Sequence, residues 1–204
     1  TSNGSTTFVD SSGATKNTNG SRTSYVSANP TYGQSIVYYT GANSGPYTIG
    51  HGLSAAPEMI LTKNVNDTGA WYVYHTGMSS PFSKTMYLND NEDEVTSVTV
   101  SATSSTTYTV PDGSLTDSPN RLIAYCFHSV TGYSSFGNYT GNGSTTGPTI
   151  TTGFQPAFVM IKVADRTDGG NGGWFMYDST RNPNTTKNNV LIADSDSAEL
   201  VNNS

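Results

Sequence analysis

Apolar residues along this chain fall into short runs bounded by Gly, Pro or Asn: Ser35 to Tyr39, Met59 to Leu61, Trp71 to Tyr74, Met86 to Leu88, Val98 to Ser101, Tyr108 to Val110 and Leu122 to His128. Several runs this short, this closely spaced, predict strands of a sandwich or barrel rather than helices. Ahead of them, residues 1–33 are rich in Ser, Thr, Asn and Gly, with only Phe8, Val9 and the Tyr25-Val26 pair as apolar anchors. That stretch is predicted to be a polar strap or linker, with regular structure beginning near Ser35.

The pattern repeats. Tyr39-Thr-Gly41 returns as Tyr139-Thr-Gly141, and Gly52-Leu53, Pro57 and Met59-Ile-Leu-Thr-Lys63 return as Gly153-Phe154, Pro156 and Phe158-Val-Met-Ile-Lys162. Trp71-Tyr-Val-Tyr-His75 then matches Trp174-Phe-Met-Tyr-Asp178, and Lys84 with Met86-Tyr-Leu88 matches Lys187 with Val190-Leu-Ile192. An internal repeat governs how a chain is organised. The expected division is therefore a strap over 1–33, a first β-repeat over 34–130 and a second, incomplete one over 131–204. Three things could complete the second repeat: the N-terminal strap, strands donated by a neighbouring chain, or further residues of a longer protein. The start at Thr1 rather than Met favours the last.

Composition sharpens the fold class. Ser, Thr, Asn and Gly make up nearly half the chain and charged residues only 12%, against about 25% in ordinary soluble domains. Thirteen Tyr and a scarcity of Leu favour pleated, half-buried surfaces over helices. The expected fold is an all-β, antiparallel, jelly-roll-like β-sandwich built from the duplication, with few or no helices. A net charge of -6 with the basic residues scattered singly argues against nucleic acid as a partner. Nor is any apolar stretch near the roughly 20 residues that a membrane-spanning helix needs. The lone Cys126 sits within an apolar run and reads as a core residue, not a nucleophile.

Candidate chemistry follows from the aromatic strands. By strand alternation Trp71, Val73 and His75 face one way, and Tyr72 and Tyr74 the other. The matching strand sets Trp174, Met176 and Asp178 against Phe175 and Tyr177. Such strands are either buried on both sides or offer rings to the C–H face of a sugar. Trp71, Tyr74, His75, Trp174, Tyr177 and Asp178 are accordingly the candidate ligand-binding residues, with loops 64–69 and 165–173 as sources of polar groups. Lys63 and Lys162, each closing an apolar strand, read as snorkelling side chains. The acidic run from Asn89 to Glu94 supplies Asp90, Glu92 and Asp93 as calcium candidates; it lacks the Gly of an EF-hand loop, which favours a solvated turn. No other cofactor is implied. No nucleophile elbow or paired-histidine metal motif is present, so no catalytic residue is assigned and the chain reads as non-enzymatic. A glycan-cleaving pair drawn from Glu58, Asp165 and Asp178 remains the enzymatic alternative.

Taken together, Ser35-Ile-Val-Tyr-Tyr-Thr-Gly41, Ile49-Gly-His-Gly-Leu53, Tyr125-Cys-Phe127, Gly137-Asn-Tyr-Thr-Gly-Asn-Gly143, Thr152-Gly-Phe-Gln-Pro156 and Met176-Tyr-Asp-Ser179 resemble a repeat module of marine and freshwater phage tail-fibre and virion structural proteins, a domain of unknown function. The resemblance covers roughly residues 20 to 200. It implies a β-rich, multimeric protein at a virion surface or otherwise outside the cell. Its partners would be its own copies, neighbouring virion proteins or host-surface glycans, and its role attachment or, alternatively, purely structural, as in a capsid decoration or tail protein. It implies no catalytic residue.

Overall fold

The computed structural model describes residues 13–113, 115, 120–166, 172–181 and 189–201; Phe8, Val9 and Lys187 lie outside the described residues. Fourteen strands are present among them: β1 (Thr15–Asn17), β2 (Ser24–Asn29), β3 (Gln34–Thr40), β4 (Tyr47–Gly50), β5 (Met59–Asn64), β6 (Trp71–His75), β7 (Met86–Tyr87), β8 (Ala102–Thr103), β9 (Thr107–Val110), β10 (Arg121–Phe127), β11 (Phe158–Lys162), β12 (Trp174–Asp178), β13 (Asn189–Ile192) and β14 (Leu200–Val201). Helical structure among the described residues is one 3-10 turn, Pro30–Tyr32. The fold is all-β, and every paired strand is antiparallel to its neighbour.

Three sheets result, ordered β1-β2-β3-β10-β5-β6-β7, β4-β9-β8 and β11-β12-β13-β14. The first two form a lopsided sandwich. Alternation sends Val37 and Tyr39 of β3, Leu122, Ala124 and Cys126 of β10, and Ile60 of β5 to the inner face, where all are buried. Tyr47 and Ile49 of β4 and Tyr108 and Val110 of β9 meet them from the smaller sheet. Tyr39 lies edge-on to both Tyr47 and Tyr108, at centroid distances of 6.2 and 6.3 Å, an arrangement that aligns ring quadrupoles favourably. Burial raises the Tyr39, Tyr108 and Cys126 pKa values far above their ordinary ranges, so all three stay neutral. Cys126 is a fully buried core residue, not a thiolate.

Two expectations need correction. Regular structure begins well before Ser35: β1 and β2 extend the large sheet, with β2 paired to β3 along its whole length. Between them, residues 20–22 lie against β4, where Ser21 and Thr48 exchange backbone-to-hydroxyl hydrogen bonds of 2.8 and 2.9 Å. Arg22 donates from Nη2 to the Thr40 and Gly41 carbonyls. A Cβ at Gly20 would meet the Thr48 carbonyl oxygen at 2.2 Å, so only Gly fits there. The apolar-run criterion missed β2 because its innermost residue is Ser24, which is buried yet satisfied by donating to Gly50 O at 2.7 Å. The second correction concerns Val98 to Ser101, which is not a strand. Thr99 and Val100 are buried there as irregular chain, and β8 follows.

The second repeat reproduces part of the first. β11 and β12 pair Phe158 with Asp178 and Lys162 with Trp174, as β5 and β6 pair Met59 with His75 and Lys63 with Trp71. The hydrogen bonds around each hairpin also correspond. Thr76 N donates to Glu58 O, and Ser179 N to Ala157 O; Trp71 N donates to the Asn89 side chain, and Trp174 N to that of Asp194. Residues 135–141, which match β3 in sequence, form no strand.

His51, which follows β4, links the two sheets of the sandwich by accepting at its carbonyl from Ser35 Oγ of β3, 2.5 Å away. It is fully buried, its Nδ1 accepts the Leu53 N–H at 3.1 Å and its Nε2 donates to Ser104 O at 3.2 Å. Only the neutral ring protonated at Nε2 satisfies both. Burial accordingly lowers its pKa, and His75, whose Nδ1 accepts from Gly77 N, is lowered by burial too. The unfolded chain therefore binds protons near pH 6.5 that the folded chain refuses. Stability is fully present above that pH and declines below it. Denaturant melts from pH 8 to 5 are expected to fall below pH 6.5, by at most about 1.4 kcal/mol per pH unit for one proton. His51→Gln should be less stable at pH 8 and flatten the decline; an unchanged slope would remove His51 as its source.

Candidate functional site

The inner face of the seven-stranded sheet is spent on the core, which leaves its outer face as the candidate surface. Strand register aligns Lys16, Tyr25, Tyr38, Ile123, Lys63 and Trp71 across β1, β2, β3, β10, β5 and β6. A second row on the same face runs Ile36, Tyr125, Leu61 and Val73. Towards β7 this face is closed, with Val73, Met86 and Met59 buried. Phe136 stacks on Phe127 at 5.9 Å and lies 6.5 Å from His75. Towards β2 it is open: Ile36 is 44% exposed, and Tyr25, Tyr38, Ile123, Tyr125 and Trp71 are half-buried. Trp71 and Tyr125 lie with centroids 6.2 Å apart and planes 31° from each other. From Tyr25 to Trp71 the row spans four strand spacings, roughly 19 Å at the usual separation. A shallow cleft of about 470 Å³, lined by Lys16, Arg22, Thr23, Tyr25, Tyr38 and Thr40, continues it at the β1–β3 end.

Of the sequence candidates, the structure brings only Trp71 to this open surface. Tyr74 faces inward, is 1% exposed and stacks on Phe82 at 5.6 Å, so it is a core residue. His75 lies under Phe136. Trp174, the counterpart of Trp71, is 4% exposed and donates from Nε1 to Tyr87 O at 2.8 Å. Tyr177 is half-buried on β12, and Asp178 caps the following turn, accepting from Thr180 N and Arg181 N and pairing with the Arg181 guanidinium. Those backbone and guanidinium hydrogen bonds hold the Asp178 carboxyl below its ordinary pKa. Tyr25, Tyr38 and Tyr125 were missed because they lie in three separate runs of the sequence. What aligns them is the pairing of strands distant in sequence, and the signal available in the sequence is the alternation of Tyr38 with buried Val37 and Tyr39, and of Tyr125 with Ala124 and Cys126.

The acidic run holds the repeats together. Asn91 O accepts from Lys162 Nζ at 3.2 Å and from Gly172 N at 3.0 Å; Asp93 Oδ2 accepts from Arg166 N at 3.0 Å, and Glu94 N donates to Ala164 O at 2.9 Å. Asp90 caps its own turn through Glu92 N. Glu94 is buried against Lys84, 2.7 Å away, and Ser79; burial alone would raise its pKa, and these hydrogen bonds more than offset that and lower it. Among the described residues no group of three or more His, Cys, Asp or Glu side chains converges as a metal site. Lys63 and Lys162 act alike. Lys63 donates to Asp67 O and Gly69 O, and Lys162 to Gly172 O, so each clamps the loop that follows its strand. Loop 64–69 is itself closed by hydrogen bonds among Asn64, Asn66 and Asp67. Residues 167–171 of the other loop lie outside the described residues.

These two tryptophans, matched in sequence, should behave differently. Trp174→Ala is expected to cost about 3–5 kcal/mol by loss of a buried ring. Trp174→Phe should cost about 1 kcal/mol through the lost Nε1–Tyr87 hydrogen bond, and Trp71→Ala about 1 kcal/mol or less, as a surface change. Urea titrations followed by circular dichroism measure this; equal losses at Trp71 and Trp174 would contradict the assignment.

No curated protein and no solved structure matches the chain. A family match does span almost all of it, over residues 5–204, to a family described only as a domain of unknown function. With that span covering both repeats, the chain belongs to the DUF7483 family.

Proposed function

We propose that this protein is a non-enzymatic surface module of a virion fibre or similar adhesin, which attaches to host glycans through the open outer face of its seven-stranded sheet. One observation carries the reading: Tyr25, Tyr38, Tyr125 and Trp71 share one half-exposed sheet face, set by register and uncovered by any other described element towards β2. Aromatic rings on a rigid sheet present flat apolar surface at low entropic cost, suited to the C–H faces of sugar rings. Lys16, in the same row and exposed, adds a donor and a positive charge. A shallow, open platform of this kind holds a single ligand weakly, and repetition along a fibre multiplies the effect. The likeness of its motifs to phage fibre repeats, the low charge content and the Ser, Thr, Asn and Gly richness support display outside a cell.

A second reading, a purely structural virion component, is favoured by the apolar residues left exposed in the second repeat, among them Phe158 and Ile150. The two readings separate experimentally. On a glycan array, the purified protein is expected to retain a restricted set of glycans. Tyr25→Ala, Trp71→Ala and Tyr125→Ala should each weaken binding about tenfold, corresponding to about 1.4 kcal/mol per ring, with thermal stability little changed. If host cells and every glycan are ignored while the protein assembles into defined oligomers, attachment is wrong and the structural role stands.

A further inference from the structure

The basic residues of this acidic chain are unevenly partnered. Lys63, Lys84 and Arg181 each pair with a carboxylate, as expected where acids outnumber bases to a net charge of -6. Lys16, Arg22 and Arg121 form no ion pair with any described residue. All of them gather beside the Tyr38–Thr40 end of β3. Lys16 stands in the register row of Tyr25 and Tyr38, Arg121 is paired with Thr40, and Arg22 reaches the Thr40 carbonyl.

Lys16 and Arg22 line one cleft of about 470 Å³ together with Thr23, Tyr25, Tyr38 and Thr40, and no acidic residue lines it. That volume falls within the roughly 300–1,000 Å³ of small-ligand sites. Arg22 is fixed there: its Nη2 donates to Thr40 O and to Gly41 O, each at 3.0 Å, while Nε and Nη1 have no partner among the described residues. The guanidinium is thus held in place with donors to spare. Cations lining a recess without a counter-charge create a positive potential that an anion neutralises.

Strand register joins this charge to the aromatic row. Lys16, Tyr25 and Tyr38 are successive members of it, so Lys16 and Tyr38 stand two strand spacings apart, roughly 10 Å. A free inorganic anion would occupy the cations and leave the rings bare. A neutral sugar would do the reverse. A nucleic-acid strand needs a longer track of cations than this cleft offers. What suits both features is an anion carried on a sugar ring whose C–H face is apolar.

We propose that the cleft takes the carboxylate or sulfate of an acidic glycan between Lys16 and Arg22, with its sugar rings lying against Tyr25 and Tyr38. The proposal rests on the reading of this sheet face as a glycan platform and narrows its ligands to anionic polysaccharides. Arg121, one strand further along, adds to the attraction, and the anchored anion sets which way the glycan runs towards Trp71.

The test uses the full chain on an array of neutral, uronic-acid, sialic-acid and sulfated oligosaccharides, with affinities then measured by calorimetry. The retained glycans are expected to be anionic. Methyl esterification of the carboxylates, or removal of the sulfates, should weaken binding about tenfold; whichever treatment has this effect identifies the anion. Affinity should also fall as salt is raised. Lys16→Gln, at an exposed position, should cost about fivefold, and Lys16→Glu more, with the melting temperature unchanged. Tyr25→Ala should weaken the charged and esterified forms alike. Retention of neutral glycans only, or equal affinity for an acid and its ester, would overturn the anion site while attachment stands. Retention of no glycan would overturn both. Binding indifferent to Lys16→Glu, or matched by a single-stranded oligonucleotide, would overturn the proposal as well.

Discussion

Insertion of β10 between β3 and β5 is the constraint on which the structure depends. Its residues pair on both sides, Ala124 facing Val37 on one flank and Thr62 on the other. Without it the β1-β2-β3 meander and the β5-β6-β7 meander would be separate three-stranded ribbons with no ladder between them. Its inward side chains, Leu122, Ala124 and Cys126, are fully buried, and the small ones make room for Tyr39 and Tyr108. The same pairing creates the outer aromatic row, because it brings Tyr38 and Tyr125, far apart in sequence, onto one face beside Trp71. Core and candidate surface are two sides of one long-range ladder. Closing the loop that joins β3 to β10 carries an entropic cost that only the completed sheet offsets.

How much of this was legible in the sequence depends on which residues mark an element. β3, β5, β6, β9 and β10 announce themselves as apolar runs. β2 and β4 do not. β2 places Ser24 where a hydrophobic residue would signal burial and satisfies its hydroxyl on Gly50, so the chemistry of the position is polar although its environment is not. β4 is a four-residue strand whose inward residues, Tyr47 and Ile49, sit among Gly and Pro. Local pattern reports what a residue prefers, not which distant strand it will meet. For the same reason the site was only partly visible. The aromatic strand containing Trp71 stands out as a cluster, whereas Tyr25, Tyr38 and Tyr125 become a surface only through register.

The acidic run has a second role that local pattern does not announce. Six consecutive polar or acidic residues read most simply as a solvated turn or a cation loop. Their backbone and side-chain oxygens are also hydrogen-bond acceptors for Lys162, Gly172 and Arg166 across the junction between repeats. Trp174 completes that junction by donating to Tyr87 O just upstream. A tryptophan that is half-exposed in the first repeat is thereby buried in the second. The sequence match records the hairpin's internal geometry and is silent about what packs on either side of it.

That exchange of faces explains why the second repeat differs from the first in more than length. In the first, the hairpin's inner-face residues Ile60, Thr62 and Tyr74 are buried and its outer face is partly open. In the second, the outer-face residues Trp174 and Met160 are consumed by the junction, and the residues matched to the sandwich interior are what remains uncovered. Two hairpins of matched register thus present opposite faces: one offers Trp71 within the seven-stranded sheet, the other apolar side chains beside an edge that no described strand pairs. Rigid rings on a completed sheet suit recognition of a ligand from outside, because little order must be gained on binding. Asymmetric packing of two hairpins matched in sequence therefore leaves a different face of each uncovered.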